Sequence, residues 1–335
     1  MNQQSWVGKV VALVCGMAMT GVVHAYGEDA EAKPKGEPEG DLARPNAWQV
    51  EIRAGAGLWS GEATYSIGGQ AWIPEEGFVD FPGKISELTF PVDVPYGLVG
   101  ARMGNGRIEF QGSLMVNLSD PSDPVKDSDW DVLGDGVLDI YSESDAELDA
   151  VVLDGSARYW LRRIPDGEAS GWGFGFGPGL YVAGFDWTVS QLDQWYPSHP
   201  EKPHEYESGR VATYQAVIVM AYLDLGLMAR RGRWNGRMDL GVGPASVTDE
   251  DDHLLRQKIS NGRMAGIGLK GMAEVRCDLS RSVFVAANMK VMAVEATGTQ
   301  EQEGYGGELA GYYAEIDEDF SISSVTAGLD IGWRF

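Results

Sequence analysis

Two short stretches carry residue types that could do acid–base chemistry. The first is Thr248-Asp249-Glu250-Asp251-Asp252-His253, a dense acidic run ending in one of only four histidines. A carboxylate two residues from an imidazole can orient the ring and stabilise its protonated form. The second, Asp127-Ser128-Asp129-Trp130, offers another close pair of carboxylates. Brought together, Asp127, Asp129, Asp251 and His253 could hold a water, take its proton and stabilise the resulting charge. Acidic runs are more often solvated surface, and this chain is acidic throughout. The residues gain meaning only from the elements that position them.

The chain has 335 residues, 50 acidic and 26 basic, with a net charge of -24. That excludes nucleic acid as a natural partner, because a phosphate backbone calls for a basic surface. Cationic peptides would be attracted instead. Residues 1–25 read as a secretory signal peptide. Lys9 supplies the positive charge, Val10 to Val23 the apolar core, and Val23-His24-Ala25 the cleavage positions. The apolar run is too short, and too broken by Gly16, Thr20 and Gly21, for a membrane anchor. Cys15 leaves with the signal, so the mature chain keeps Cys277 alone and forms no intrachain disulfide. Residues 26–46, rich in Glu, Lys, Pro and Gly, read as a disordered linker. Residues 47–335 form the folded part, starting near Trp48.

From Trp48 onward the apolar residues repeat with period two. At the end of the chain Val325, Ala327, Leu329, Ile331, Trp333 and Phe335 share one face, and Ser324, Thr326, Gly328, Asp330, Gly332 and Arg334 the other. The stretches 263–277 and 282–295 alternate in the same way. A soluble sandwich would alternate too. These strands, however, often exceed the roughly 9–11 residues a bilayer requires, and they place aromatics near their ends. The expected fold is all-β: a ten-stranded antiparallel transmembrane β-barrel of the bacterial outer membrane. Candidate strands start near Trp48, Ile85, Gly106, Glu147, Gly171, Val211, Asn235, Arg263, Ser282 and Asp319. Ala216 to Leu223 is almost wholly apolar, but Val217, Val219, Ala221, Leu223, Leu225 and Leu227 continue one strand face, so strand is preferred to helix.

Connections alternate in length. Gly104-Asn105-Gly106, Gly232 to Asn235 and Asp278 to Arg281 read as tight turns. Ser60–Lys84, Ser119–Ala146, Gln191–Arg210, Thr248–Gln257 and Thr297–Glu318 read as long loops. Barrels of this class have short periplasmic turns and long outer loops. A periplasmic N-terminus then puts every long connection outside. The two acidic stretches fall in the second and fourth of these loops, which face each other across a ten-stranded lumen.

This constellation resembles the omptin family of outer-membrane aspartyl endoproteases. Asp127-Ser128-Asp129-Trp130 matches the family's Asp-x-Asp-Trp, and Asp251-Asp252-His253 its Asp-x-His. Leu58-Trp59-Ser60-Gly61, Ile85-Ser86-Glu87-Leu88, Ala327-Gly328-Leu329 and the Arg334-Phe335 end support the likeness, which spans Trp48 to Phe335. The resemblance implies that His253 is a general base on water and that Asp251 orients and charges its ring. Asp127 and Asp129 would form the opposing carboxylate pair that helps bind the water and the scissile peptide. It implies no covalent intermediate and no metal. One imidazole among carboxylates is also a weak zinc signal. Omptins hold a basic substrate residue with acidic groups deep in the cleft. Asp249 matches one of these, while the first-strand position carries Tyr65, with Glu62 nearby. Omptins also need lipopolysaccharide, making it a candidate activator here, although Phe185-Asp186-Trp187-Thr188-Val189 lacks the family's Glu and Arg. The partners implied are outer-membrane lipid, a peptide or protein substrate of cationic character, and the barrel-assembly machinery that reads a terminal Phe. A non-catalytic barrel serving structure or adhesion is the alternative, and a small porin a third reading.

Several other features stay open at this level. His199 and His204 could bind metal or simply belong to a polar Pro-rich loop. Trp130, Trp187 and Trp195 could line a cleft or join an aromatic girdle. Lys270, Glu274 and Arg276 read as a salt-bridged lumen plug, because a barrel of this size leaves little open space. Gly173 to Gly179 sits in a strand pattern and is not a phosphate loop.

Overall fold

Alternation along extended segments carries through the computed structural model, which describes residues 48–130, 136–164 and 168–335. The expected signal (1–25) and linker (26–46) lie outside the described residues. Twelve strands form one antiparallel sheet. They are β1 (Gln49–Ile73), β2 (Gly77–Pro91), β3 (Val94–Gly104), β4 (Ile108–Asn117), β5 (Val125–Trp130) and β6 (Leu138–Arg162). Then follow β7 (Ser170–Trp195), β8 (Glu205–Arg231), β9 (Trp234–His253), β10 (Lys258–Asp278), β11 (Val283–Gly304) and β12 (Tyr313–Arg334). β12 pairs back onto β1, from Glu51↔Arg334 to Trp72↔Glu315, so the sheet closes and leaves no free edge. Apart from the short 3₁₀ turn Gly307–Leu309, the described residues contain no helix, and none is long and apolar enough to cross a membrane.

The ring nonetheless has the ten positions expected. β2 and β3 both lie along β1, and β4 and β5 both lie along β6. Each couple is one interrupted stave, and proline chemistry makes both interruptions. Pro91 and Pro95 flank the first and cannot donate to a ladder. Pro121 and Pro124 lie in the second. There side chains replace the missing backbone partners of β6. Asn117 Oδ1 accepts from the Ala150 amide at 2.8 Å, and Asp120 Oδ1 from the Leu148 amide at 3.0 Å.

The outward face divides each stave. Near the short turns it is apolar: Val325, Leu329 and Ile331 on β12, and Leu223, Leu225 and Leu227 on β8, are all exposed. Trp48, Trp172, Trp234 and Trp333 sit exposed at that end, as an interfacial aromatic girdle requires. After roughly ten residues, the height of a bilayer core, the same face turns polar. It reads Ser323, Ser321, Asp319 and Asp317 on β12, and Ser246, Thr248 and Glu250 on β9. The strands then run on for about ten further residues, on the order of 30 Å of ladder.

That extension corrects the expected loops. Asp127 to Trp130 is the strand β5, and Thr248 to His253 is the end of β9. Above the band the apolar parity passes to the inward face, and at Asp127–Trp130 and Thr248–His253 both faces are polar, so these two stretches lose their alternation while the backbone keeps pairing. The tight turns fall where expected: β3 ends at Gly104, β8 at Arg231 and β10 at Asp278. Ala216 to Leu223 lies within β8.

The lumen is filled in layers. Toward the short turns Arg53 meets Glu274 at 2.6 Å, Arg276 meets Glu51 at 2.9 Å, and Lys270 is paired with Asp154. Above lies a stack of Trp59, Tyr65, Phe90, Phe185, Trp187 and Tyr214, all buried. Phe90 and Tyr214 stack with centroids 4.3 Å apart, and the Trp187 Nε1–H donates to the Pro91 carbonyl at 3.0 Å. Trp187 is therefore neither cleft nor girdle. It belongs to the floor that closes the lumen.

Candidate functional site

The distal end of the barrel holds the site on that aromatic floor. On β9, Asp249, Asp251 and His253 share the inward face by period two. Ala216, Tyr214 and Ala212 of β8 are their register partners on one side, and Gly262, Ser260 and Lys258 of β10 on the other. On β5, Asp127 and Asp129 pair with Leu88 and Ser86 of β2. The two strands lie on opposing walls, and Asp127 and His253 line the same cleft.

Asp251 is 1 % exposed and anchors the imidazole, with His253 Nε2 2.8 Å from its Oδ2. The Tyr65 hydroxyl donates to the same oxygen. Burial opposes ionisation of Asp251, but His253, the Tyr65 hydrogen bond and Lys258 outweigh it and hold the carboxyl below its usual range. Tyr65 is thereby held protonated, by its own burial and then by the Asp251 charge. The opposite wall behaves differently. Burial and the adjacent Asp129 push Asp127 up to about 7, and its Oδ1 is buried without a protein hydrogen-bond partner. Asp129 is ion-paired to Arg256 at 3.1 Å. The site thus places an ionised, ring-orienting carboxylate on one wall and a carboxyl that keeps its proton to near neutrality on the other. That separation is the arrangement general acid–base chemistry uses.

Asp249 does not open to the cleft. It is 7 % exposed and its Oδ2 accepts from the Tyr214 hydroxyl at 2.7 Å. Its Oδ1 faces Glu318 Oε2 over Gly262, and neither oxygen has another partner. A Cβ at residue 262 would come within 2.1 Å of both, so glycine is required there for close approach. Burial raises both carboxyls, and Glu318 is raised the further because the Asp249 charge adds to its burial, whereas hydrogen bonds from Tyr214 and Glu318 hold Asp249 lower. One shared proton satisfies the two facing oxygens. Gln300 donates to Glu318 Oε1 at 2.9 Å.

The seven candidate residues thus fall into three groups. Asp127, Asp129, Asp251 and His253 converge. Tyr65 and Asp249 join them from below, Tyr65 as a support of Asp251. Glu62 does not join, because it is exposed on the outer face of β1 while its neighbours Ala63 and Tyr65 point inward. Sequence reasoning missed Glu318, Arg256 and Lys258. For Glu318 a signal existed: Ile316, Phe320 and Ile322 fix the inward parity of β12, and Glu318 is the one acid of Glu315-Ile316-Asp317-Glu318-Asp319 on that parity.

The other two histidines among the described residues have partners of their own. His199 lies 3.3 Å from Glu201, and His204 lies 3.0 Å from Asp193 and stacks on Trp195. Among the described residues no group of three or more His, Cys, Asp or Glu has a geometry suited to a metal ion.

No family model and no curated protein sequence matches the chain. Among solved structures, the crystal structure of the outer membrane protease OmpT from Escherichia coli is similar, with a TM-score of 0.68 at 16% identity. The match covers 87% of this chain and 98% of that one. The outer membrane protein OprG from Pseudomonas aeruginosa matches with a TM-score of 0.36 at 12% identity, over 87% and 97% of the two chains. The likeness to OmpT is one of fold, an antiparallel barrel of the outer-membrane type.

Proposed function

We propose that the chain is an outer-membrane endopeptidase of omptin-like design, with the distal end of the barrel and its cleft outside the cell. The observation that carries this reading is the pairing of His253 with buried Asp251 across the cleft from Asp127, whose Oδ1 has no protein partner. A water held between His253 and Asp127 is placed to attack a peptide carbonyl. His253 takes the water proton as the new C–O bond forms, and Asp251, itself anchored by Tyr65, stabilises the imidazolium. Asp127 in its protonated form donates toward the carbonyl oxygen as charge develops there. Collapse breaks the C–N bond, and the proton on His253 passes to the leaving amine. Water adds across the bond, with no covalent intermediate and no metal required. Lipopolysaccharide is proposed as an activator only in so far as it orders the polar half of the barrel.

The non-catalytic alternative draws on one observation of its own. Arg256 engages Asp129 at the cleft wall, so one member of the carboxylate pair is already occupied. Cleavage of quenched peptides by the refolded mature chain, with and without lipopolysaccharide, separates the readings. His253→Ala should cut kcat by about 10²–10⁴ while leaving the barrel folded. Equal activity in wild type and variant, or none in either from a verified barrel, favours the structural reading.

A further inference from the structure

We infer that the substrate side chain seated beside the scissile bond is aliphatic rather than basic, an inference that rests on the endopeptidase reading above. The cleft that Asp127 and His253 share is walled mainly by Leu88, Val125, Val189, Leu192, Val211 and Leu255. Among the described residues Asp127 is the only carboxylate on its lining, and the proposed reaction already uses it. Arg256 also lines the cleft, where its guanidinium repels a lysine or arginine side chain. A cationic group entering would lose its hydration with no free anion among the described lining residues to meet it, whereas an aliphatic one would leave water for apolar contacts.

The acids that could have received a basic side chain are sealed. Asp249 and Glu318 are 7 % and 1 % exposed. Their facing oxygens are committed to each other over Gly262. Tyr65 and Tyr214 roof them, with ring centroids 5.1 Å apart and hydroxyls given to Asp251 and Asp249. Reaching this pair would mean parting two buried aromatic rings and ionising a proton-sharing pair. Glu62, the remaining acid near the first-strand position, points to the outside of the barrel. The side chains that would confer basic specificity are therefore internal supports of the Asp251–His253 pair.

The reaction remains hydrolysis, with water adding across the C–N bond, and only the selected neighbour differs. A pocket of this kind favours leucine or valine over lysine by on the order of a hundredfold in kcat/KM. The test is mass-spectrometric mapping of products from a randomised peptide mixture, using the refolded mature chain beside His253→Ala. The expected result is His253-dependent cleavage flanking Leu, Val or Ile. Leu255 sits in the exposed turn after β9, so Leu255→Glu leaves the barrel ladder untouched. It should raise KM for a leucine peptide roughly tenfold and lower it for the lysine counterpart. Retention of the barrel is checked by heat-dependent gel mobility. His253-dependent cleavage concentrated at Lys or Arg overturns this inference and keeps the endopeptidase. Absence of any His253-dependent product overturns the endopeptidase reading and this inference with it.

Discussion

At the residue scale, what distinguishes the four converging side chains is their surroundings rather than their types. Asp251 accepts from both Tyr65 and His253 on a single oxygen, and those donors favour its ionised form. Tyr65→Phe removes one donor without changing the packed ring. A hydrogen bond to a charged group is worth on the order of 1.5–3 kcal/mol, so kcat for peptide cleavage should fall about tenfold with KM nearly constant. An unchanged kcat would show that Tyr65 only fills space. Asp127 offers a test that needs no substrate. Its folded pKa, about 7, is above that of an exposed carboxyl. The fold therefore favours the protonated form. The stability this supplies is complete below about pH 4 and is lost as pH rises through about 7. Asn mimics the protonated form at every pH. Asp127→Asn should match wild type near pH 4 and exceed it at pH 8 by roughly 2 kcal/mol after allowance for partial hydration, read as a higher temperature for loss of the folded gel band. A difference independent of pH would contradict the raised pKa.

At the element scale, the ten staves were legible in the sequence because the bilayer enforces alternation on the outward face. The membrane half of each strand, its tight turns and the strand character of Ala216 to Leu223 follow from that alone. The distal half was not legible as strand. There the outward face meets water, residues such as Glu295, Thr297 and Asp319 replace the apolar row, and the apolar parity passes to inward residues such as Val294, Ala296 and Phe320, so the outward pattern that marks a membrane strand ends. Glu318 was hidden for the same reason, since its inward parity shows only once β12 is carried past Phe320. The two broken staves also exceed what pattern supplies. In the β4–β5 stave, Asn117 and Asp120 stand in for absent backbone partners of β6. Asn117→Ala strips bonds from the Ala150 amide and the Leu148 carbonyl, each costing about 1–3 kcal/mol when left unmet. Hydrogen exchange should then accelerate selectively at Leu148 to Ala150 and in β5, the strand that carries Asp127. Protection unchanged there would mean that the break is bridged without the side chain.

At the scale of the whole molecule, on the proposed endopeptidase reading, charge and cleft select different features of one substrate. The chain carries a net charge of -24, and its distal outer faces present Glu147, Asp149, Glu250, Glu295, Glu301 and Asp319 to solvent. Their summed field reaches outward by about a Debye length and draws in cation-rich chains. The cleft itself is aliphatic where the scissile bond would lie, and the aromatic floor prevents a threaded chain from passing on through the lumen. An amphipathic cationic polypeptide cut beside an aliphatic residue fits both constraints. Steering acts on encounter and not on bond cleavage, so the two contributions separate with salt. Raising ionic strength from about 0.01 M to about 0.5 M shortens the Debye length from roughly 30 Å to under 5 Å. For a lysine-rich peptide containing a central leucine, kcat/KM should fall by on the order of tenfold over that range, with kcat at saturation steady and the cleavage position unmoved. A neutral peptide with the same central leucine should show almost no change. If both peptides respond alike, salt acts on the barrel or its lipid rather than on encounter. If the cleavage position moves toward lysine at low salt, the cleft selects charge directly and its aliphatic walls are not what determines where the chain is cut.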